Sequence, residues 1–477
     1  MINIKNKKVF KISMRKRLML CEFPIEEIKK RLNNYEYHEL FIENFFEKSF
    51  SIHNGIFNGE EESEYKGLRI RALLNNSLYT LSTNKKSKSE LYNLLEHIKK
   101  FKGIKTYLSN ENFSKYHYKV PEKISIDDIE PYQDIMDLYK NIVKANLEYL
   151  DIYLKLSRRK TLYTNSNGAE IEMDIPFIDI IVAIGVKNKN EIRESYMEFG
   201  IVGGYELIDL EAIKNDINER IRELNEVLEK GINLSHEEIR NIKNIVISPE
   251  ITGIAVHESI GHPFEADRIF GREAAQAGTS YLNPDDFEVD VGSEHVNIID
   301  DPTMPHASGF YLFDEEGVKA RPKVLVEKGV EKELLLNREY AFKVGSNSNA
   351  SARSDMYLHE PIIRMSNTFF KNGNEELSNL IKDAKNGIYV KNFSEWNIDD
   401  TRSFARYQGN IAYLIEKGSI TKPVKNFIIE TTTSKFWHAV AEVGNDFKLF
   451  TANCGKGEPL QGVPVTNGGP SLLLKFE

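Results

Sequence analysis

Ser248-Pro-Glu-Ile-Thr-Gly-Ile-Ala-Val-His-Glu-Ser-Ile-Gly-His262 is the stretch on which the reading of this chain turns. Ser248 is a good N-cap, Pro249 suits the first helical position, and Glu250 suits the positive end of the helix dipole. A helix is therefore expected from Pro249 to about Asp267, with His257 and Glu258 two turns in. The apolar run Ile254, Ala255, Val256 points to burial. From Ile242 onward the pattern is otherwise strands and turns, so this is one helix set in a strand-rich region.

Upstream the pattern is mixed. From Tyr37 to Thr83, runs rich in Phe, Ile, Leu and Tyr are punctuated by Asn54-Gly55, Asn58-Gly59 and Asn75-Asn76, which favour turns between strands. Leu91, Leu94, Leu95 and Ile98 have helical spacing, predicting a helix over Lys88 to Lys102. Gly103 to Pro121 is polar and reads as a linker. A second helix is expected over Pro131 to Ala145, and Asn167-Gly168 marks a hairpin. Glu206 to Lys230 reads as a long amphipathic helix with a solvated charged face, stopped by Gly231. The expected class is α+β: an N-terminal α+β domain (1–105), a central α+β domain ending in the long helix (106–232), and a strand-rich C-terminal domain carrying the helix that opens at Pro249 (233–477).

Bulk properties narrow the function. The 477 residues are 41% apolar and 28% charged, an ordinary globular composition. The net charge of -9 argues against nucleic-acid binding, which calls for a basic face. The one dense basic run, Lys5, Lys7, Lys8, Lys11, Arg15, Lys16 and Arg17, is followed by no aromatic platform and reads as a solvated tail. Two cysteines, Cys21 and Cys454, point to a reducing compartment rather than a disulfide scaffold. Leu18 to Cys21 is too short for a signal peptide. The longest apolar run, Pro176 to Val186, contains Asp179 and cannot span a bilayer. A cytoplasmic protein with no membrane or nucleic-acid partner is expected.

A His-Glu pair followed by a second His is a zinc-hydrolase pattern, usually with the histidines four apart on one helix face. Here they are five apart, which on a regular helix leaves the rings roughly 140° apart. Gly261 permits unusual backbone angles, and Pro263 disfavours the α region for His262. A π-type turn, or a break at Gly261, would swing His262 back toward His257. A catalytic zinc needs a third protein ligand and one open position. Cys454, in a glycine-rich and turn-like setting with Lys456 nearby to favour its thiolate, is the candidate. Taken singly, a lone histidine or cysteine is more often structural.

Four blocks in order carry a family resemblance: His257-Glu-Ser-Ile-Gly-His-Pro-Phe-Glu-Ala-Asp267, Phe313-Asp-Glu-Glu-Gly317, Arg353 through Arg364-Met-Ser-Asn-Thr368, and Cys454-Gly-Lys-Gly-Glu-Pro459 with Gly468-Gly-Pro470. With these the chain resembles the TldD/PmbA metallopeptidases, also described as modulators of DNA gyrase. It resembles the branch that keeps the metal motif rather than the paralogous branch that loses it.

The resemblance implies Zn2+ on His257, His262 and Cys454, with Glu258 as the general base. It implies hydrolysis of unfolded or flexible peptides, and a homodimer or a heterodimer with a motif-lacking paralogue. Peptide binding by strand addition would suit a strand-rich domain. Glu265 and Asp267 are candidates to orient the histidines. Arg353, Arg364, His438 and Tyr311 are candidate oxyanion donors, with Arg353 and Arg364 equally able to pair with Asp355 or Glu360. Gly468 and Gly469 could let substrate backbone approach. The alternatives are a partner-binding protein whose structural zinc has a fourth ligand, such as His438 or Asp267, and a zinc hydrolase of another amide.

Overall fold

The structure is a computed structural model that describes residues 23–98, 105–189, 191–275 and 278–476. Cys21, the basic run from Lys5 to Arg17, and the end of the helix expected to reach Lys102 lie outside the described residues.

The Phe- and Ile-rich runs after Tyr37 form long strands. Tyr37–His53 turns through Asn54 and Gly55, both at positive φ, into Ile56–Leu74. This is the hairpin turn that Asn-Gly favours. Seven strands make the first sheet, in the order Ser77–Thr83, Ile56–Leu74, Tyr37–His53, Leu147–Asn165, Glu170–Lys187, with Lys115–Lys119 and Ile192–Val202 both on the last of these.

This sheet corrects two expectations. Tyr37–His53 pairs along its length with Leu147–Asn165, so the boundary expected near 105 cuts through one sheet. Asn54-Gly55, Asn75-Asn76 and Asn167-Gly168 sit at turns between strands, whereas Asn58-Gly59 lies inside the strand Ile56–Leu74, and long-range pairing joins the hairpins. The expected linker also holds the strand Lys115–Lys119, parallel to the start of Glu170–Lys187. Its side chains are mostly exposed and polar, which hid it.

The second helix is shorter than expected, Tyr132–Lys140. The long one is Leu210–Lys230. Its cap is Asp209, whose side chain accepts the Ala212 N–H, whereas Glu206 accepts N–H groups of Lys123 and Ile124. Gly231 follows the helix in an extended conformation, without a left-handed turn. Ile213, Ile217, Ile221, Leu224, Val227 and Leu228 form its buried stripe, in one core with first-sheet residues such as Ile152 and Ile180 and C-terminal residues such as Ile411 and Leu473. Full burial of each such side chain contributes about 1.5–3 kcal/mol. The charged face is not simply solvated: Arg220 pairs with Glu250, and Glu219 and Glu223 hold Lys391.

Residues after 244 build two more large sheets. One has seven strands, with Asn244–Ile247 central between Gly387–Ile398 and Leu472–Lys475. The other has six strands and ends with Asn367–Phe370, Gln461–Gly469 and, at its edge, Lys448–Lys456. The helix Pro249–Val256 leaves the first of these and packs on the second. A Cβ on Gly253 would lie 2.7 Å from Asn467 Oδ1, and one on Gly469 would lie 2.7 Å from Thr252 Cγ2. The small residues let this helix sit directly on the Gln461–Gly469 strand. No described helix is long and apolar enough to cross a membrane.

Candidate metal centre

Ser248 caps the helix, accepting the Ile251 N–H, and Pro249 opens it. The α-helical pattern holds to Val256 and then widens into a π turn over His257–Gly261. The His262 N–H bonds to the His257 carbonyl at 3.1 Å, a five-residue step. Five residues thus close one wide turn and bring both rings to the same side. Their centroids lie 4.8 Å apart, nearly perpendicular.

The cause differs in part from the expected one. His262 keeps α-region angles (φ -61°, ψ -44°) despite Pro263, but the helix expected to reach Asp267 stops at this turn: Glu265 is extended and a separate short helix, Ala266–Ile269, follows. Pro263 acts through its missing N–H. The Ser259 carbonyl, which a residue at 263 would normally serve, accepts the Tyr281 hydroxyl instead. Gly261 is needed for space: a Cβ there would stand 1.9 Å from Met365 Sδ.

Cys454 comes from the edge strand Lys448–Lys456, not from a turn. It packs beside the rings, its Sγ 3.5 Å from His262 Nε2. The metal-ligating atoms of His257, His262 and Cys454 all lie within 4.8 Å of one another, and all three residues are buried. Burial works against the thiolate, but His262, His257 and Arg364 outweigh it and hold the Cys454 thiol well below its usual range. Among the described residues no fourth His, Cys, Asp or Glu joins the group. Asp267 is taken by Lys456 at 2.6 Å, and the half-exposed His438 faces Asp290.

The donor set fits a metal ion. One thiolate and two imidazoles suit zinc. His257 Nδ1 is buried without a hydrogen-bond partner. His262 Nδ1 is held by Glu265 at 3.0 Å, which turns Nε2 toward Cys454. Glu265 is in turn held by Lys456 at 3.1 Å. Lys456 lies two residues beyond Cys454 and so on the same face of its strand. Its ammonium contacts Glu265, Asp267 and the Ile363 carbonyl, and so steadies the histidine's partner. This role was readable in principle from the Cys-Gly-Lys spacing.

Glu258 is buried beside His257 and His262. Its Oε1 accepts the Trp396 Nε1–H at 3.1 Å, and its Oε2 is bound by Arg402. Burial disfavours the charged form, yet His262, His257 and Arg402 hold the carboxyl below its ordinary value. Trp396 and Arg402 lie about 140 residues downstream, with no local sequence signal.

The other predicted site residues have different tasks. Arg364 is fully enclosed and donates to the carbonyls of Cys454 and Gln461, bracing the strand that carries Cys454. Arg353 donates to the carbonyls of Met365 and Pro464. Neither pairs with Asp355 or Glu360, which hold His359 and Arg272. The Tyr311 hydroxyl donates to the Ala350 carbonyl. Gly468 and Gly469 are buried, and a Cβ on Gly468 would meet the Lys448 carbonyl at 2.1 Å. Their smallness lets neighbouring chain pack against them.

Residues 241–476 match the family model of the PmbA/TldA metallopeptidase C-terminal domain. A metalloprotease of Methanothermobacter thermautotrophicus is 32% identical over 70% of this chain and 69% of its own length. The chain belongs to the TldD/PmbA family of metallopeptidases. A zinc metalloprotease TldD homologue of Saccharolobus solfataricus is 26% identical over 86% of this chain and 89% of its own. In fold, the crystal structure of TldE from Thermococcus kodakarensis superposes with a TM-score of 0.74 over 94% of this chain and 98% of that one, at 15% identity. The TldD/PmbA fold thus extends over the N-terminal sheet as well as the matched domain.

Proposed function

We propose that this chain is a zinc-dependent peptidase that hydrolyses unfolded or flexible peptides. The observation that carries the reading is the buried convergence of His257, His262 and Cys454 without a fourth protein ligand among the described residues. When bound, zinc supplies Lewis acidity for the scissile carbonyl and for water. Glu258, adjacent to His257, takes the proton from the attacking water and passes it to the leaving amine. Glu265 fixes the ring of His262. Peptide lies along the outer edge of Lys448–Lys456, whose strand pairing is on the Gln461–Gly469 side alone among the described residues. Main-chain bonding there gives affinity with little side-chain preference. A dimer, of two copies or with a motif-lacking paralogue, and a cytoplasmic setting complete the reading.

The test is metal analysis joined to peptide cleavage. Purified protein is expected to hold about one zinc per chain. Glu258→Gln keeps that zinc and loses cleavage of an unstructured peptide pool by at least about 100-fold. Full cleavage by that variant, or by protein stripped with a chelator, would end the hydrolytic reading. A zinc closed by four protein ligands in an absorption spectrum would favour a partner-binding protein instead.

A further inference from the structure

We infer that Arg402, seconded by Trp396, is the positioning residue for Glu258, holding its carboxylate plane in the orientation that proton transfer requires. The inference rests on the general-base reading of Glu258.

A carboxylate on a three-bond side chain turns freely about its last bond unless both oxygens are held. Here each has its own donor: Trp396 Nε1–H on Oε1, and the Arg402 guanidinium on Oε2. Two donors on two oxygens define the plane. An ionised carboxylate offers about four acceptor directions, so the clasp leaves room for the proton of a water.

The backbone that carries Arg402 is itself tethered. Both donors belong to one hairpin, Trp396 near the end of the strand Gly387–Ile398 and Arg402 in the turn that leads into Phe404–Glu416. Arg402 has φ +62°, a left-handed conformation costly for a residue with a side chain. The surroundings enforce it. The Arg402 N–H bonds to the Asp399 carbonyl, and the Arg402 carbonyl accepts the Thr433 hydroxyl at 2.6 Å. On the other side, the Thr279 N–H bonds to the Asp400 carbonyl at 2.7 Å. Gly278 sits so close that a Cβ would come within 1.8 Å of that carbonyl. The hairpin end is thus tied to two separate segments, 278–279 and 432–433. Trp396 is steadied edge-on against Phe393, with centroids 5.0 Å apart. A strained backbone held by its neighbours at a site of chemistry is what a preorganised group requires.

The experiment uses zinc-loaded protein and a quenched-fluorescent unstructured peptide. Arg402→Ala is expected to lower kcat by about 100-fold, the scale of a misplaced general base, with KM changed less than about threefold and zinc content unchanged. Added guanidinium chloride at non-denaturing concentration restores at least about tenfold of that loss, because it refills the vacated cation site. Trp396→Phe removes one donor and lowers kcat by about tenfold. Glu258→Gln is inactive and gains nothing from guanidinium. Wild-type kcat in Arg402→Ala, or a loss shared with zinc content and unanswered by guanidinium, overturns the inference. Should Arg402→Ala fail to fold, an unchanged kcat in Trp396→Phe overturns it alone. In either case an inactive Glu258→Gln leaves the base reading standing. An active Glu258→Gln removes both.

Discussion

Gly261 and Glu265 show how little separates the π turn that gathers the two histidines from an ordinary helix. With Met365 Sδ where a Cβ of residue 261 would stand, Gly261→Ala overfills the turn. It is expected to cost about 1–3 kcal/mol of stability and to weaken zinc binding. Thermal melts and competitive zinc titration check this. Pairing it with Met365→Ala should recover part of the loss, since the clash is with that sulfur. Glu265→Gln keeps the shape but removes the charge that orients His262 and balances Lys456. Zinc affinity should fall about 10–100-fold, read by competition with a chromophoric chelator. At this scale the sequence was most informative. The five-residue His spacing predicts a wide turn, and the wide turn is there. The partners of Glu258 were invisible, because Trp396 and Arg402 reach it only through tertiary packing.

Among the elements, the strand Glu170–Lys187 carries an internal cost. Asp179 is buried, and one of its carboxylate oxygens has no hydrogen-bond partner. Burial first, then Glu198, pushes its pKa up to about 7 against an ordinary 3.8, with Lys155 opposing. The folded state therefore binds a proton that the unfolded chain has released between about pH 4 and 7. Stability falls as pH rises through that window and stays reduced above it. Asp179→Asn should raise stability at pH 8 by on the order of 2 kcal/mol and change it little below pH 4. Denaturant midpoints at the two pH values check the sign. Periodicity read the strands and the long helix well. It missed Lys115–Lys119, whose exposed polar side chains look like linker, and it placed the long helix's start at Glu206 when Asp209 is the cap.

Across the whole molecule, buried ion pairs fasten the first sheet to the C-terminal half. Glu315 accepts from both Arg69 and Arg159, and Arg71 bridges Glu39 and Glu316. Removing one partner of such a group strands buried charge. Glu315→Ala is expected to cost about 3–5 kcal/mol, measured as a drop in urea midpoint. Glu315 also has a sign for pH. Burial opposes its charge, but Arg159 and Arg69 prevail and draw its pKa down to about 2. Its contribution is present above the ordinary carboxylate range and is lost as pH falls toward 2. This fastening runs through Phe313–Gly317, one of the blocks that carry the family resemblance, and gives that block a structural task.

The chain's order of residues was enough to determine the capped helix, the odd histidine spacing, the candidate cysteine and the mixed α and β character. Each depends on near neighbours: a cap, a turn former, a side-chain period. Only the tertiary structure decided that residues before and after 105 share one sheet, that Arg364 braces the strand that carries Cys454, and that a hairpin end from around residue 400 grips Glu258. Those outcomes depend on which distant strands pair and which buried charges find partners, and no local pattern encodes such choices.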